Sequence, residues 1–285
     1  MTLIAIVIAL LLERGLSYSP QWRAHDLTGR WIDWLDGRLS LGTWSLALYV
    51  LVPVAVIGGL HELLMHEGGV LLALPLSLAV LLACMGPRDL REQIHAHEQA
   101  LHQGDSLRAE TILRELIFGP RRVEGNSQGR SAVAACFVQG HERWFAPLVW
   151  FFLLGPAGAV AYRVLAATAS HLRHKGSADE ALRLAEDLHG ALAWPSARIA
   201  ALLYALAGSA DHAFAAWRAC LAESAEGWTR NSWGLLARTG LAAMSHQPTA
   251  PPSLDDLEAA LRLLGRSLRL FLAVLALFTV GGWID

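Results

Sequence analysis

The sequence is poor in lysine, cysteine and net charge. Lys175 is the one lysine among the 23 lysine and arginine residues, and no glycine-rich loop precedes it, which excludes a Walker-type ATP-binding loop. The cysteines, Cys84, Cys136 and Cys220, are too few and too scattered for a disulfide framework or a zinc site. A formal net charge of −2 gives no basic surface that would favour nucleic acid.

Signatures of common soluble enzymes are also missing. No G-x-G-x-x-G follows a strand pattern, no G-x-S-x-G elbow occurs, and strand patterns are nearly absent. Charged residues make up 17% of the chain and apolar residues 54%, whereas soluble domains average about 25% charged residues. The sequence therefore predicts an all-α fold, a polytopic integral membrane helical bundle with cytoplasmic amphipathic helices.

Several apolar stretches approach the ~20 residues that a helix needs to cross the hydrocarbon core. The strong ones are Thr43–Leu60, Gly69–Gly86, Ala146–Leu172 and Leu268–Ile284. Thr2–Leu12 is short for a span, and it lacks the positive start and cleavage site of a signal peptide, so it is expected to be retained. Leu192–Gly208 contains a proline and an arginine; it either crosses the membrane, re-enters it or packs as a buried helix.

The distribution of arginine predicts the orientation. His61–Gly68, between the first two strong spans, carries no basic residue and is expected outside. Glu13–Gly42 and Pro87–Phe145 are arginine-rich and are expected inside, together with the flank before the last span. The N-terminus and Asp285 then face outside, which requires Leu192–Gly208 to cross the membrane.

This layout divides the chain into five parts. They are an N-terminal membrane part with an interfacial helix (1–86), a cytoplasmic helical segment (87–145), a membrane core segment (146–208), a second cytoplasmic helical segment (209–266) and a C-terminal transmembrane helix (267–285). Within the first part, Gln21–Asp36 places Leu27, Trp31, Trp34 and Leu35 on one helical face. That helix either lies in the membrane interface or packs on the bundle.

Capping residues predict helices in the cytoplasmic parts. Pro87–Leu116 is expected to form two helices, separated at Gly104, with Asp105 as the cap of the second. The other predicted helices run from Ser177–Glu180 to about His189, over Asp211–Glu223, and from Ser253–Asp256 to about Gly265.

Arginines inside apolar stretches are the strongest functional signal. Arg163 and Arg198 lie in such stretches, where a cation is costly and usually functional. Each is expected to meet a carboxylate, helix carbonyls or an anionic ligand, unless Arg163 reaches the headgroups. The interruption Gly155-Pro-Ala-Gly158 before Arg163 predicts either a kinked packing face or a broken helix that lines a site.

Other polar residues allow two interpretations. Glu142 and Arg143, at the mouth of the third strong span, either bind a ligand or mark the membrane interface. His95, Glu98 and His102 share one helix face, a geometry that suits a metal ion but is more common on a solvated polar face. We predict no metal site and no cofactor.

Two segments carry a family resemblance. RSAVAACFVQGHERWFAPLVWFFLLGPAGAVAYRVLAA and LAWPSARIAALLYALAG resemble the CobD/CbiB group of integral membrane proteins, which join an aminopropanol arm to a corrinoid carboxylate late in cobalamin assembly. The opening MTL…ERGL, the length, the terminal apolar helix and the W-P-x-x-R stretch are more similar to a sister group, the AmpE family. That resemblance implies a multi-pass inner-membrane protein of Gram-negative bacteria, associated with the muropeptide amidase and β-lactamase induction as a signalling modulator.

Departures from the synthase pattern distinguish the two groups. Where R-x-x-V-E-T-x-x-E-N-x-x-D carries acids suited to Mg²⁺, this sequence has Ala134, Ala135, Val138 and Gln139, with Glu142 in place of the final acid. The residues that match the pattern include Arg130, Tyr162, Arg163 and Arg198. The resemblance therefore implies a scaffold that keeps its cations and lacks the metal ligands.

We predict a non-catalytic membrane sensor or modulator. The predicted ligand-binding residues are Arg130, Glu142, Tyr162, Arg163 and Arg198, and no residue is assigned to catalysis. The expected partners are the lipid bilayer, an anionic small molecule and a protein of envelope signalling; a homo-oligomer stays open, and nucleic acid is excluded. The alternatives are a corrinoid-type membrane amide synthase, an anion transporter and a purely structural membrane partner.

Overall fold

The computed structural model describes residues 2–15, 24–36, 38, 45–85, 90–117, 128–175, 180–223, 232–244 and 254–281. Every regular element in these ranges is a helix, which confirms the all-α prediction. In chain order the elements are α1 Thr2–Gly15, α2 Ala24–Asp36, α3 Ser45–Cys84, α4 Leu90–His102, α5 Ser106–Ile117, α6 Gln128–Gly140, a π-helical turn His141–Phe145, α7 Ala146–His174, α8 Glu180–Ala207, α9 Ala210–Glu223, α10 Ser232–Ala243 and α11 Leu254–Val280.

Within the described ranges, 4 helical stretches are long and apolar enough to cross a membrane. They are Ser45–Cys84, Ala132–His174, Glu180–Ala207 and Asp255–Val280. The prediction of a polytopic membrane bundle is thereby confirmed. Leu192–Gly208 lies almost entirely within the third of these stretches, whereas Thr2–Glu13 is a shorter apolar helix.

The prediction that His61–Gly68 forms a loop is wrong. These residues are helical and belong to α3, which is 40 residues long and is interrupted only at Gly69, with φ 60° and ψ −150°. The segment is rich in helix-forming leucine, glutamate and methionine and contains no proline, so nothing before the glycine pair ends the helix. A glycine with positive φ, rather than a polar loop, separates the first two predicted spans.

A second glycine break reverses α7. Gly155, directly before Pro156, has φ 65° and ψ −157°. A Cβ atom added at Gly158 would collide with the carbonyl oxygen of Trp150, although residues this far apart in a straight helix are separated by ~12 Å along the axis. The chain therefore folds back sharply at Gly155. The interruption is a broken helix, as one interpretation predicted; a ligand at the break stays a prediction.

Two predicted helix ends are wrong, because both helices continue past a glycine. α8 runs beyond His189 to Ala207, and α11 runs beyond Gly265 to Val280. An interior glycine costs a helix only about 1 kcal/mol, which packing of the flanking apolar residues offsets. The predicted capping residues Ser177 and Ser253 lie outside the described residues.

The other helix predictions in the polar segments are confirmed. α4 and α5 flank Gly104, which has φ 73°. Asp105 caps α5, because its Oδ1 accepts a hydrogen bond from the backbone N–H of Arg108 at 3.0 Å. The predicted helix Asp211–Glu223 is α9.

The chain divides into two compact units. Unit 1 comprises Met1–Pro87, Ala146–Ala193 and Leu275–Asp285, and unit 2 comprises Arg88–Phe145 and Trp194–Val274. The five-part division proposed from the sequence stays a prediction.

In unit 1, α3 packs against α7, and both α1 and α2 pack against this pair. The buried cluster of α2, α3, α7 and α8 contains Ile32, Leu35, Leu46, Tyr49, Ala169, Leu172 and Ala185. α2 is thus a helix that packs on the bundle, one of its two predicted placements. Its buried face is centred on Ile32 and Leu35, whereas Trp34, predicted on the same face as Leu35, is 49% exposed. The side chain of Leu27 lies outside the described residues.

In unit 2, α6 packs against α5 and α10, and α10 packs against α9. Tyr204 of α8 joins α6 to the π-helical turn: its ring centroid lies 5.3 Å from that of Phe137 and 5.7 Å from that of Phe145. The Tyr204 hydroxyl donates a hydrogen bond to the carbonyl oxygen of Phe137 at 2.9 Å. This aromatic core holds the helices that position the polar cluster described below.

Substitution of Gly155 tests the reversal in α7. An alanine there must keep a positive φ with an extended ψ, a conformation essentially confined to glycine, which costs about 1–3 kcal/mol. We expect Gly155→Ala to lower the thermal unfolding midpoint of the full-length protein in detergent. Gly59→Ala in α3 is the matched control, because a Cβ there meets nothing within 4 Å and alanine favours a helix. A midpoint for Gly155→Ala at or above that of Gly59→Ala would contradict the break.

Candidate functional site

The π-helical turn His141–Phe145 lies at the end of a segment of unit 2 and interrupts the apolar helical stretch Ala132–His174. Such turns are rare and occur frequently at functional sites. His141, Glu142 and Arg143 are consecutive, and their exposed fractions are only 0%, 2% and 7%. Burial of a charged group in an apolar environment is costly unless it is hydrogen-bonded or paired. The partners of these side chains therefore decide what the turn can do.

Side chains from two other helices meet the first two residues of the turn. Nε2 of His141 lies 2.9 Å from Oγ of Ser196 on α8. The indole N–H of Trp233, in the first turn of α10, donates to Oε1 of Glu142 at 2.8 Å. Nδ1 of His141 lies 3.9 Å from the same oxygen of Glu142. The turn is thus linked to both α8 and α10 by polar contacts inside the protein.

The third residue of the turn bonds back to its own helix. Nε of Arg143 donates to Oε1 of Gln139 at 3.3 Å, across four residues. We call His141, Glu142, Arg143, Ser196 and Trp233 the π-turn cluster. The buried turn contributes an imidazole, a carboxylate and a guanidinium to this cluster, so the cluster contains both hydrogen-bond donors and hydrogen-bond acceptors.

Two of the predicted ligand-binding residues lie in unit 2 with described side chains. Glu142 belongs to the π-turn cluster. Arg198 follows Ser196 on α8, and its Nη1 donates to the carbonyl oxygen of Trp194 at 3.1 Å. The Arg198 guanidinium carbon also lies 4.1 Å from the centroid of the Trp194 ring, a cation–π contact. A helix carbonyl, one of the three expected kinds of partner, thus accepts from Arg198.

The other predicted residues do not belong to the π-turn cluster. Tyr162 and Arg163 belong to unit 1, on the second half of α7, and are 0% and 5% exposed. The Tyr162 ring packs edge-on against His189, with centroids 5.2 Å apart. Arg130 lies in the first turn of α6, and its side chain is outside the described residues. A ligand site shared by all of them stays a prediction.

Sequence reasoning missed His141, Ser196 and Trp233. The available signal was the polar run Gly-His-Glu-Arg between two apolar runs, which was placed at the mouth of a span. The apolar helical stretch begins at Ala132, so this run lies inside it, and Glu142 and Arg143 are enclosed by protein. Nothing in the sequence links the turn to Ser196 or Trp233, because only tertiary packing brings these helices together.

The positions that correspond to the acids of the synthase pattern do not fit a magnesium site. Ala134 and Val138, at the positions of the pattern's two glutamates, are buried, as is Ala135 at the position of its threonine. Mg²⁺ requires oxygen ligands, usually with one or two carboxylates. Glu142 is the one carboxylate at these positions, and its Oε1 accepts the Trp233 N–H.

The second candidate for a metal site is a polar helix face. On α4, Nδ1 of His95 lies 3.3 Å from Oε2 of Glu98, and Nε2 of His102 lies 3.8 Å from Oε1 of Glu98. Both imidazoles are mostly exposed, so this is a solvated face. Across the described ranges, no group of three or more histidine, cysteine, aspartate or glutamate residues gathers in a way that suits a metal ion.

The helices, their apolar lengths and the buried polar turn define a multi-pass α-helical membrane protein. The chain belongs to the CobD/Cbib family, because the family model described as CobD/Cbib protein matches residues 6–242. Protein AmpE of Shigella flexneri is 26% identical over 298 residues, which cover 99% of each chain. The cobalamin biosynthesis protein CobD of Chromobacterium violaceum is 26% identical over 252 residues, covering 83% of this chain and 78% of that protein. No solved structure matches the chain. The resemblance to both groups is thus confirmed.

A double-mutant cycle tests the bond between Glu142 and Trp233. Glu142→Leu removes the acceptor and leaves the indole N–H buried, a change that costs about 1–3 kcal/mol. Glu142→Gln keeps an acceptor oxygen and should lower the unfolding midpoint less. We expect the loss in Glu142→Leu/Trp233→Phe to be smaller than the sum of the single losses, because both remove the same bond. Additive losses would show that this bond does not join the turn to α10.

Proposed function

We propose that this chain is a non-catalytic regulatory protein of the bacterial inner membrane, of the AmpE type, which acts with cell-wall recycling and β-lactamase induction. The observation that carries the proposal is the set of apolar side chains on α6: Ala134 and Val138 stand where the synthase pattern has its two glutamates, and Ala135 stands where it has a threonine. These side chains pack against neighbouring helices and offer no ligand for a cation or a phosphate. The similarity to Protein AmpE of Shigella flexneri, which extends over 99% of both chains, supports the same role.

The chemistry of amide formation strengthens this argument. Joining an amine to a carboxylate requires an activated acyl group, and enzymes commonly stabilise the charge of such phosphate-bearing intermediates with Mg²⁺. In this chain the carboxylate of Glu142 accepts an indole N–H and lies beside His141, in a buried turn. Glu142 is therefore proposed to position α10 against the turn beside the ligand, and no metal is assigned to it.

The proposed ligand is an anion, bound through Arg130, Arg163 and Arg198 with Glu142 and Tyr162. Arg163 is 5% exposed within a candidate span, where an arginine normally pairs or marks a substrate or ion pathway. The guanidinium carbon of Arg198 lies 4.1 Å from the centroid of the Trp194 ring, and its side chain is only partly buried. The further partners in the proposal are the lipid bilayer and a protein of envelope signalling.

A strain that lacks its own copy of the gene tests the site. We expect the native chain to restore β-lactamase induction and Arg163→Ala/Arg198→Ala to leave it at the level of the deletion strain. Arg218→Ala on α9, an exposed arginine of unit 2, is the matched control and should restore induction fully. Membrane levels of each variant are compared by immunoblotting. Induction at the native level in the double variant would refute the assignment of these arginines.

Purified protein tests the absence of catalysis. With Mg²⁺, a corrinoid acid and an aminoalkyl phosphate, we expect no amide product by mass spectrometry, because α6 lacks the oxygen ligands. A synthase of the same family serves as the positive control. Turnover by this chain would overturn the non-catalytic proposal and favour a corrinoid-type synthase.

An anion transporter is the second candidate, and the glycine breaks in α3 and α7 favour it. Broken helices line substrate sites in many transporters because they expose backbone groups and helix ends. Proteoliposomes loaded with unlabelled phosphate distinguish the two functions. Counterflow of labelled phosphate above that of empty liposomes would support transport, and its absence is the result expected for a regulator.

A further inference from the structure

A separate polar site lies in unit 2, between α4 and α11. It is a cavity of about 670 Å³, within the range of roughly 300–1,000 Å³ that is usual for small-molecule pockets. Its polar lining consists of Arg91, His95, Glu258, Arg262, Arg266 and Arg269. Arginines are the most frequent residue of this lining, and Glu258 is its one carboxylate.

The geometry of the two helices directs these arginines to one place. Arg262, Arg266 and Arg269 are spaced by four and three residues, so they share one face of α11. Arg91 comes from the start of α4. A Cβ atom at Gly265 would lie 3.5 Å from Nη2 of Arg91 and 4.0 Å from Nη1 of Arg269. The guanidinium groups of Arg91 on α4 and Arg269 on α11 therefore both lie close to Gly265, which has no side chain.

The lining of this cavity carries more positively charged than negatively charged side chains. Nη1 of Arg262 donates to Oε2 of Glu258 at 2.8 Å, so the carboxylate of the lining serves Arg262. Arg91, Arg266 and Arg269 also line the cavity, and like charges that converge repel each other. An anion between them would change this repulsion into attraction.

We propose that this pocket binds a phosphate group, carried either by a soluble metabolite or by the headgroup of an anionic lipid. The planar guanidinium fork matches two phosphate oxygens, and forks from α4 and α11 reach the space above Gly265. Met244, Leu261 and Leu263 line the same cavity and supply apolar surface for the rest of the molecule. The lipid source is physically reasonable because basic pockets beside membrane helices bind phospholipid headgroups.

This site is distinct from the arginines of the proposed function and does not depend on them. Its arginines on α11 follow residue 242, where the match to the family model ends.

Titration of the full-length protein tests the site. In nanodiscs of phosphatidylcholine alone, inorganic phosphate and glycerol 3-phosphate are added and binding heat is measured. We expect binding to the native protein that weakens as salt is raised. Arg266→Gln/Arg269→Gln should weaken it by about tenfold or more, since a hydrogen bond between charged groups contributes about that factor or more to affinity. Arg218→Gln on α9 is the control and should bind as the native protein does.

A second arm distinguishes the two sources of phosphate. Nanodiscs that contain phosphatidylglycerol and phosphatidylcholine in equal amounts are examined by native mass spectrometry. If the headgroup is the ligand, phosphatidylglycerol stays on the native protein, is lost from the double variant and blocks glycerol 3-phosphate. If a soluble metabolite is the ligand, both proteins retain lipid equally and glycerol 3-phosphate still binds the native protein.

The double variant Arg266→Lys/Arg269→Lys is the control for a folding defect. It keeps both charges at exposed positions and removes only the fork geometry, so its affinity should lie between those of the native and glutamine proteins. Equal binding of all probes by the native, lysine and glutamine proteins, or no binding by any of them, would overturn the proposal. Neither result would alter the induction assay, so failure here is distinguishable from failure of the proposed function.

Discussion

The structure depends on hydrogen bonds that compensate ionisable side chains for their burial in an apolar helical protein. The π-helical turn does this for His141, Glu142 and Arg143, because its widened turn directs successive side chains to Ser196, to Trp233 and back to Gln139. Each contact replaces hydration that burial removes. The polar contacts in turn fix α8 and α10 of unit 2 against the turn, so the same interactions that make burial tolerable also define the local architecture.

Glycine has the second decisive part in this fold. In α3 and α7, Gly69 and Gly155 adopt positive φ values of 60° and 65°, which other residues reach only with strain. Each break lets an apolar segment change direction without a polar loop, so no backbone groups of a long connection need solvation at the membrane. The glycines inside α8 and α11 do not break their helices, because packing of the flanking apolar residues stabilises the helical conformation there.

The chain combines the scaffold of the CobD/Cbib family with apolar side chains on α6. A family scaffold that places Ala134 and Val138 where a synthase pattern has glutamates keeps its shape, because alanine and valine pack well in a buried helix. Its remaining cationic and polar groups are the parts that can still recognise a partner or an anion. Regulation by binding requires only these groups, whereas amide synthesis requires the oxygen ligands as well.

The sequence by itself determined the all-α membrane class, the family and most helices, because apolar length, capping residues such as Asp105 and the motifs around Tyr162 and Trp194 are local properties. It also identified Glu142, Arg163 and Arg198 as unusual, since a charge in an apolar run is visible without a structure. Only the tertiary structure decided that His61–Gly68 is helical and that α2 packs through Ile32 and Leu35. It also decided that Ser196 and Trp233 meet the π-helical turn and that Arg91 and Arg269 both approach Gly265. The reason is physical: hydrogen bonds and converging charges between distant helices depend on which helices pack together, whereas hydrophobic periodicity in the chain marks only which face of a helix is buried.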